Sequence, residues 1–234
     1  MSESILEVQN LEVFYGNAQA IHGISLTIEQ GELLSLIGSN GAGKSTLFKS
    51  ICGMVRPRSG TINFKGQTTA GLSPARITEM GIAMVPEGRR LFRSLSVEEN
   101  LILGGYVRRP GPWTLQKVYD VFPILKERKD YPATSLSGGQ QQMVAIGRAL
   151  MSNPELLLLD ELSLGLAPVV IKDIYELLPK ILGEGMATIL VEQDVTRAMQ
   201  VSDHFVCMLE GRISLSGQSD AFSHDEISAA YFGT

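Results

Sequence analysis

Four short stretches carry residues able to handle phosphate, a hard cation and water. GSNGAGKST fits the spacing G-x-x-x-x-G-K-[ST] from Gly38 to Ser45. Glycines let the backbone N–H groups of Gly38, Ser39, Asn40, Gly41, Ala42 and Gly43 curl around an anion. The helix that follows, entered at Ser45 and Thr46, adds a favourable field for phosphate at its N-terminus. Lys44 supplies a point charge for the β- and γ-phosphates, and the Ser45 hydroxyl suits Mg²⁺, which takes oxygen ligands. PELLLLDE ends a four-leucine run on Asp160 and Glu161, and ILVEQD runs three apolar residues into Glu192, Gln193 and Asp194. A short buried strand ending in polar residues marks a site at its tip. LSGGQQQ opens a second helix with Ser137, Gly138, Gly139 and Gln140. This makes a second anion site, with Ser137 able to donate its hydroxyl. One loop already cradles a triphosphate, so the second is most economically read as serving a neighbouring subunit's nucleotide.

Strands and helices must bring these stretches together. ILEVQNLEVFY and IHGISLTIE look like strands, the second alternating Ile24, Leu26 and Ile28. ELLSLIG is a nearly continuous apolar run, as expected of a parallel strand covered on both faces. TLFKSICGM reads as a helix with Gly53 near its end, and GTINFKGQ as a hairpin arm. The middle changes character. Ser96 with Glu99 forms a capping-box pattern, PWTLQKVYDVFPILKER has helical spacing, and GGQQQMVAIGRALMSNP is a helix closed by Asn153-Pro154. Residues 1–90 and 151–234 are therefore expected to form an α/β core with a mostly parallel sheet. About 91–150 form an inserted helical subdomain.

Composition narrows the partners. The chain has 234 residues, 44% hydrophobic and 19% charged, enough for one large domain. Its net charge of -5 gives no global pull toward nucleic acid. Cys52 and Cys207 stand far apart, in no metal-ligand spacing, and read as reduced thiols in a core. No stretch approaches the roughly 18–20 apolar residues of a membrane span. The N-terminus has no basic region of the signal-peptide kind. A cytosolic protein is expected, with any membrane role arising through partners.

With Gly38–Ser45 read as a P-loop, Asp160 falls where P-loop NTPases place the acid that holds Mg²⁺. Glu161, just past the strand end, is placed to act as general base toward water. LSGGQ resembles the signature of ABC transporters, and GSNGAGKST, LSGGQ and LLLLDE stand in the order of that family. The resemblance covers essentially the whole chain. It implies an ABC ATPase fold with an N-terminal antiparallel β-subdomain, ATP and Mg²⁺ as ligands, and a head-to-tail dimer. In that dimer two ATPs lie between the phosphate loop of one subunit and the signature of the other. Tyr15 matches the aromatic that stacks on adenine. FYGNAQAIHGISL, VPEGRRLF, SLGLAP and VEQ further resemble the shorter ATPase of branched-chain amino-acid importers. That implies two permease subunits, a second ABC ATPase in a heterodimer (or a homodimer in isolation), and an extracytoplasmic binding protein. It also implies a peripheral place on the cytoplasmic face of the cell membrane. The competing readings are another importer, such as one for urea or amides, and a soluble ABC ATPase not coupled to transport.

Several positions depart from the wider family; those at Gln193, Glu87 and Ala167 are normal for the branched-chain importers that the chain resembles, whereas those at Leu162 and Asp194 depart even from these. Gln193 stands where most members have a histidine on the γ-phosphate. It can donate an amide hydrogen bond but cannot take a proton. Glu87 replaces a glutamine and offers Mg²⁺ a carboxylate. Ala167 replaces an aspartate, Leu162 a proline and Asp194 an asparagine. Finally, GRRLFRSLS sets Arg89, Arg90 and Arg93 around Leu91 and Phe92, which suits docking of a helix from a membrane protein.

Overall fold

A computed structural model describes residues 4–183 and 185–232, the side chains of Leu182 and Phe232 excepted. Two sheets organise the chain. The first is antiparallel, in the order β2-β1-β4-β5. Its strands are β1 (Ser4–Tyr15), β2 (Ala18–Glu29), β4 (Ser59–Phe64) and the short β5 (Gln67–Thr68). The second contains β3 (Leu33–Gly38), β6 (Ile82–Val85), β7 (Leu156–Asp160), β8 (Ala187–Glu192), β9 (His204–Leu209) and β10 (Arg212–Gln218). Its order is β10-β9-β3-β8-β7-β6, parallel throughout except that β10 pairs antiparallel with β9. The expected α/β fold, with a mostly parallel sheet and a separate antiparallel one, is what the chain adopts.

The strand order is what builds the site. β8 lies between β3 and β7, with Ile37 opposite Glu192 and Asp160 opposite Val191. The C-terminal tips of all three strands therefore meet at one edge, where ligands bind in open parallel sheets.

Helices cover the sheet. They are α1 (Lys44–Ile51), α2 (Pro74–Met80), α3 (Val97–Gly104), α4 (Leu115–Val121), α5 (Pro123–Glu127), α6 (Gly138–Leu150), α7 (Pro168–Leu182), α8 (Val195–Val201) and α9 (His224–Phe232). β7 shows how both faces are used. Leu156 and Leu158 pack with α1 and the antiparallel sheet, while Leu157 and Leu159 pack against the helices of 97–182. Such two-sided burial is why the strand reads as an unbroken leucine run.

The helical stretch shows its sequence logic locally. Ser96 and Glu99 close a capping box at the start of α3. The single helix suggested by spacing over 112–128 is instead two, because Pro123 lacks an N–H and the chain turns at Phe122. Asn153, left-handed at φ 51°, accepts from Trp113 N at 2.7 Å. Its amide donates to the carbonyls of Arg109 and Trp113. That one side chain ties the end of α6 to the loop before α4. Trp113 itself is 3% exposed in the helical core.

Candidate functional site

The loop from Gly38 to Lys44 enters α1 through Gly43 at φ 102°. Only glycine suits this position, since a Cβ there would also stand 3.0 Å from the Ala20 carbonyl. No side chain caps α1, so its first N–H groups are left for a ligand. Lys44 is folded back, donating to the carbonyls of Gly38 at 2.6 Å and Ser39 at 3.0 Å. Its Nζ is 3.9 Å from Glu161. Burial lowers its pKa, while Glu161 and Asp160 pull it back up.

A cleft of about 390 Å³ opens over this loop, lined among others by Asn40, Lys44, Ser45, Thr46, Glu87, Glu161 and Gln193. Asp160 lies beneath it. Burial pushes the Asp160 carboxyl up to about 6, with repulsion from Glu161 and Glu87 adding to the rise. The Ser45 hydroxyl bond and Lys44 oppose it. Its Oδ1 is buried without a hydrogen-bond partner. A buried carboxylate oxygen left unpaired is costly unless a cation or its water completes it. Ser45 and Asp160, with Glu87 exposed across the cleft, therefore fit a hard cation carried in with a phosphate ligand. Among the described residues no group of three His, Cys, Asp or Glu gathers as a metal centre, so the ligand's own oxygens would complete the shell.

Gln193 answers to its place between the strands. Its amide donates to Glu161 at 2.9 Å and to the Asn40 side chain at 3.2 Å. Glu161 is left-handed at φ 50°, uncommon for a residue with a Cβ. The α8 cap is Asp194, which accepts from Arg197 N at 3.1 Å, leaving Gln193 free for the cleft. Leu162 is 1% exposed and anchors the segment after Glu161 in the helical core. Ala167 sits exposed at the N-cap of α7 with no side-chain bond.

The other candidates are not in this cleft. Tyr15 is half-exposed at the end of β1, outside the cleft lining. Ser137, Gly138, Gly139 and Gln140 begin α6 elsewhere on the surface. There Ser137 Oγ accepts from Gln140 N, and Gln140 reaches back to Ser137 N. A Cβ on Gly139 would strike Val170 Cγ1 at 2.2 Å, so glycine lets α6 and α7 touch.

Arg89 was not singled out for this end of α6, yet its guanidinium rests there, 3.2 Å from where a Cβ on Gly138 would lie. A cation beside a helix N-terminus is unfavourable without an anion between them. Gly88, Arg89 and Arg90 are consecutively left-handed, and Arg148 on α6 clasps the carbonyls of Arg90 at 2.9 Å and Arg89 at 3.2 Å. Sequence gives no sign of this, because it depends on an arch closing onto a distant helix. A larger cleft of about 630 Å³, lined by Asp203, His204 and Asp220 among others, opens at the β9–β10 edge and contains neither glycine-rich helix start.

A glycine loop at a strand tip, a paired lysine and two adjacent acids define a nucleotide-hydrolysing P-loop protein. The family model for ABC transporters matches residues 21–163. The chain is 44% identical over 232 residues to the high-affinity branched-chain amino acid transport ATP-binding protein BraG of Pseudomonas aeruginosa, covering 98% of this chain and 100% of that one. It is 30% identical to BraF, a similarly named protein of the same organism, over 100% and 99% of the two chains. An ATP-binding cassette of an ABC transporter, solved in its ADP conformation, superposes with a TM-score of 0.85 at 27% identity, covering both chains completely. This chain belongs to the ABC transporter family and is one of its ATP-hydrolysing cassettes.

Proposed function

We propose that the chain powers an importer of branched-chain amino acids as one of its two ATPase subunits. The observation that carries this reading is the 44% identity over the whole length of BraG, against 30% to BraF. In this reading the chain lies on the cytoplasmic face of the cell membrane, bound to two permeases and a second ATPase, with a binding protein outside. Among the described residues no helix is long and apolar enough to cross a membrane. An apolar groove supports the permease contact. It is lined by Phe92, Leu103 and Tyr106 among others, all exposed, with Arg148 stacked on Phe92. The groove lies where the helical part, taken as residues 91–150, meets α2 and β6 of a core taken as 1–90 and 151–234.

Hydrolysis then uses the cleft as follows. Tyr15, half-exposed at the end of β1 and outside the cleft lining, would stack on adenine where the base leaves the cleft. The N–H groups of 38–46 and Lys44 hold the β- and γ-phosphates. Ser45, Asp160 and Glu87 would hold Mg²⁺, which neutralises phosphate charge when bound. Glu161 accepts a proton from water as the water oxygen bonds to the γ-phosphorus, and the bond to the ADP oxygen breaks. Gln193 orients Glu161 and offers its amide to the γ-phosphate. Ser137, Gly138, Gly139 and Gln140 close on the second subunit's nucleotide, with Arg89 adding charge.

The test is ATP turnover of the purified chain, alone and in proteoliposomes with its permeases, second ATPase and binding protein. Turnover should be low alone, rise on assembly with leucine present, and fall about 10²–10⁴-fold in Glu161→Gln. High turnover alone that ignores the permeases overturns the coupled reading. Stimulation by urea or an amide but not leucine overturns the cargo.

A further inference from the structure

Glu192 ends β8 inside the protein, and none of the steps above uses it. It is 1% exposed. Its carboxylate accepts from the Tyr175 hydroxyl of α7 and from Ser163 Oγ at 3.2 Å, and lies 3.9 Å from Arg197 of α8. Arg197 also stacks on the Tyr175 ring, 5.5 Å to its centroid. Burial raises the Glu192 pKa, while Tyr175, Arg197, Ser163 and the Gln193 N–H pull it down. A buried carboxylate is tolerated only when paired and hydrogen-bonded. Here the partners come from three separate places: α7, α8 and the segment that follows Glu161.

That segment is joined to the tip of β8 twice. Glu161 accepts from Gln193 at 2.9 Å on the open side, and Glu192 accepts from Ser163 at 3.2 Å on the buried side. Between these two rungs only Leu162 packs into the core. Leu164 is 52% exposed, and a void of about 270 Å³ lies beside the rungs. The placement of Glu161 therefore depends on few contacts, and the Ser163 bond is one of them.

We propose that Glu192 is a positioning residue for hydrolysis, its buried carboxylate holding Ser163 so that Glu161 meets Gln193 and the attacking water. This rests on the reading of Glu161 as the base. A small misplacement of a catalytic group lowers turnover without weakening ligand binding. Glu192→Gln keeps the volume but replaces an acceptor oxygen with a donor, so the hydroxyls of Ser163 and Tyr175 compete for one oxygen.

The experiment compares Glu192→Gln, Ser163→Ala, their double variant and Glu161→Gln in the reconstituted transporter. Glu192→Gln and Ser163→Ala should each lower kcat about tenfold, with KM for ATP within about twofold. The double variant should lose little beyond either single one, because both break the same rung. Unchanged kcat in Glu192→Gln and Ser163→Ala, or fully additive losses, overturns the proposal while Glu161→Gln remains inactive. Undiminished turnover in Glu161→Gln would instead overturn the assignment of the base. If Glu192→Gln fails to fold, Ser163→Ala alone decides, since it removes the rung without disturbing the buried charge.

Discussion

The helices beginning at Lys44 and at Gly138 both start on glycines, yet their first turns are in opposite states. α1 has no side-chain cap, and a buried lysine folds onto its loop carbonyls. α6 is closed by a capping box from Ser137 and Gln140. The first end is unfinished without an anion. The second is satisfied by its own residues and keeps only the outer donors of its glycines, with Arg89 beside them. The contrast teaches that, in the proposed head-to-tail dimer, the chain would bring the phosphate-loop half of one nucleotide site and the signature half of another. The signature half would have to hold its shape before a partner arrives, and the capping box at Ser137 and Gln140 stabilises that end of α6 on its own.

Lys44→Ala should break the first end most. Loss of a charge-assisted contact to two phosphates should weaken nucleotide binding by the isolated chain about 100-fold, read by calorimetry. Ser137→Ala sharpens the contrast. Losing the cap should cost about 1 kcal/mol in urea unfolding, yet leave nucleotide binding by the isolated chain within about twofold. Binding as weak as in Lys44→Ala would mean both helices serve one nucleotide, and the comparison would collapse.

The smallest effect is a titration confined to the α1 side. Asp160, held up at about 6 from its ordinary 3.8, keeps its proton where the unfolded chain has released it. Its stabilising contribution is full below the unfolded value and lost as pH rises through about 6. Between pH 5 and 7 the nucleotide-free protein should therefore lose melting temperature relative to Asp160→Asn. Parallel curves for the two proteins would contradict the buried, unpaired state of that carboxyl.

Much of the cleft was legible because local chemistry dictates it. A strand, a glycine loop and a helix at fixed spacing leave few arrangements, and four leucines before two acids announce a strand covered on both faces. The neighbourhood of Gln193 was not legible. Its bonds to Glu161 and Asn40 follow from β8 lying between β3 and β7, an order no short stretch encodes. Leu162 and Asp194 had no physical reading from sequence. One proves to be a core anchor, and the other the α8 cap. The Ser137–Gln140 box did carry its S-x-x-Q signal, but the glycines between drew the reading toward anion binding alone. The hubs at Asn153 and Arg148 were out of reach, since each bonds to loops some 40 or more residues away.

Trp113 is the chain's one tryptophan, and it lies in the helical core under Asn153. Emission excited at the red edge, where the six tyrosines do not absorb, is thus a local signal. Its colour reports the dryness of the layer that would face the permease, and a nucleotide-driven shift in it would show motion reaching that layer without any dye attached.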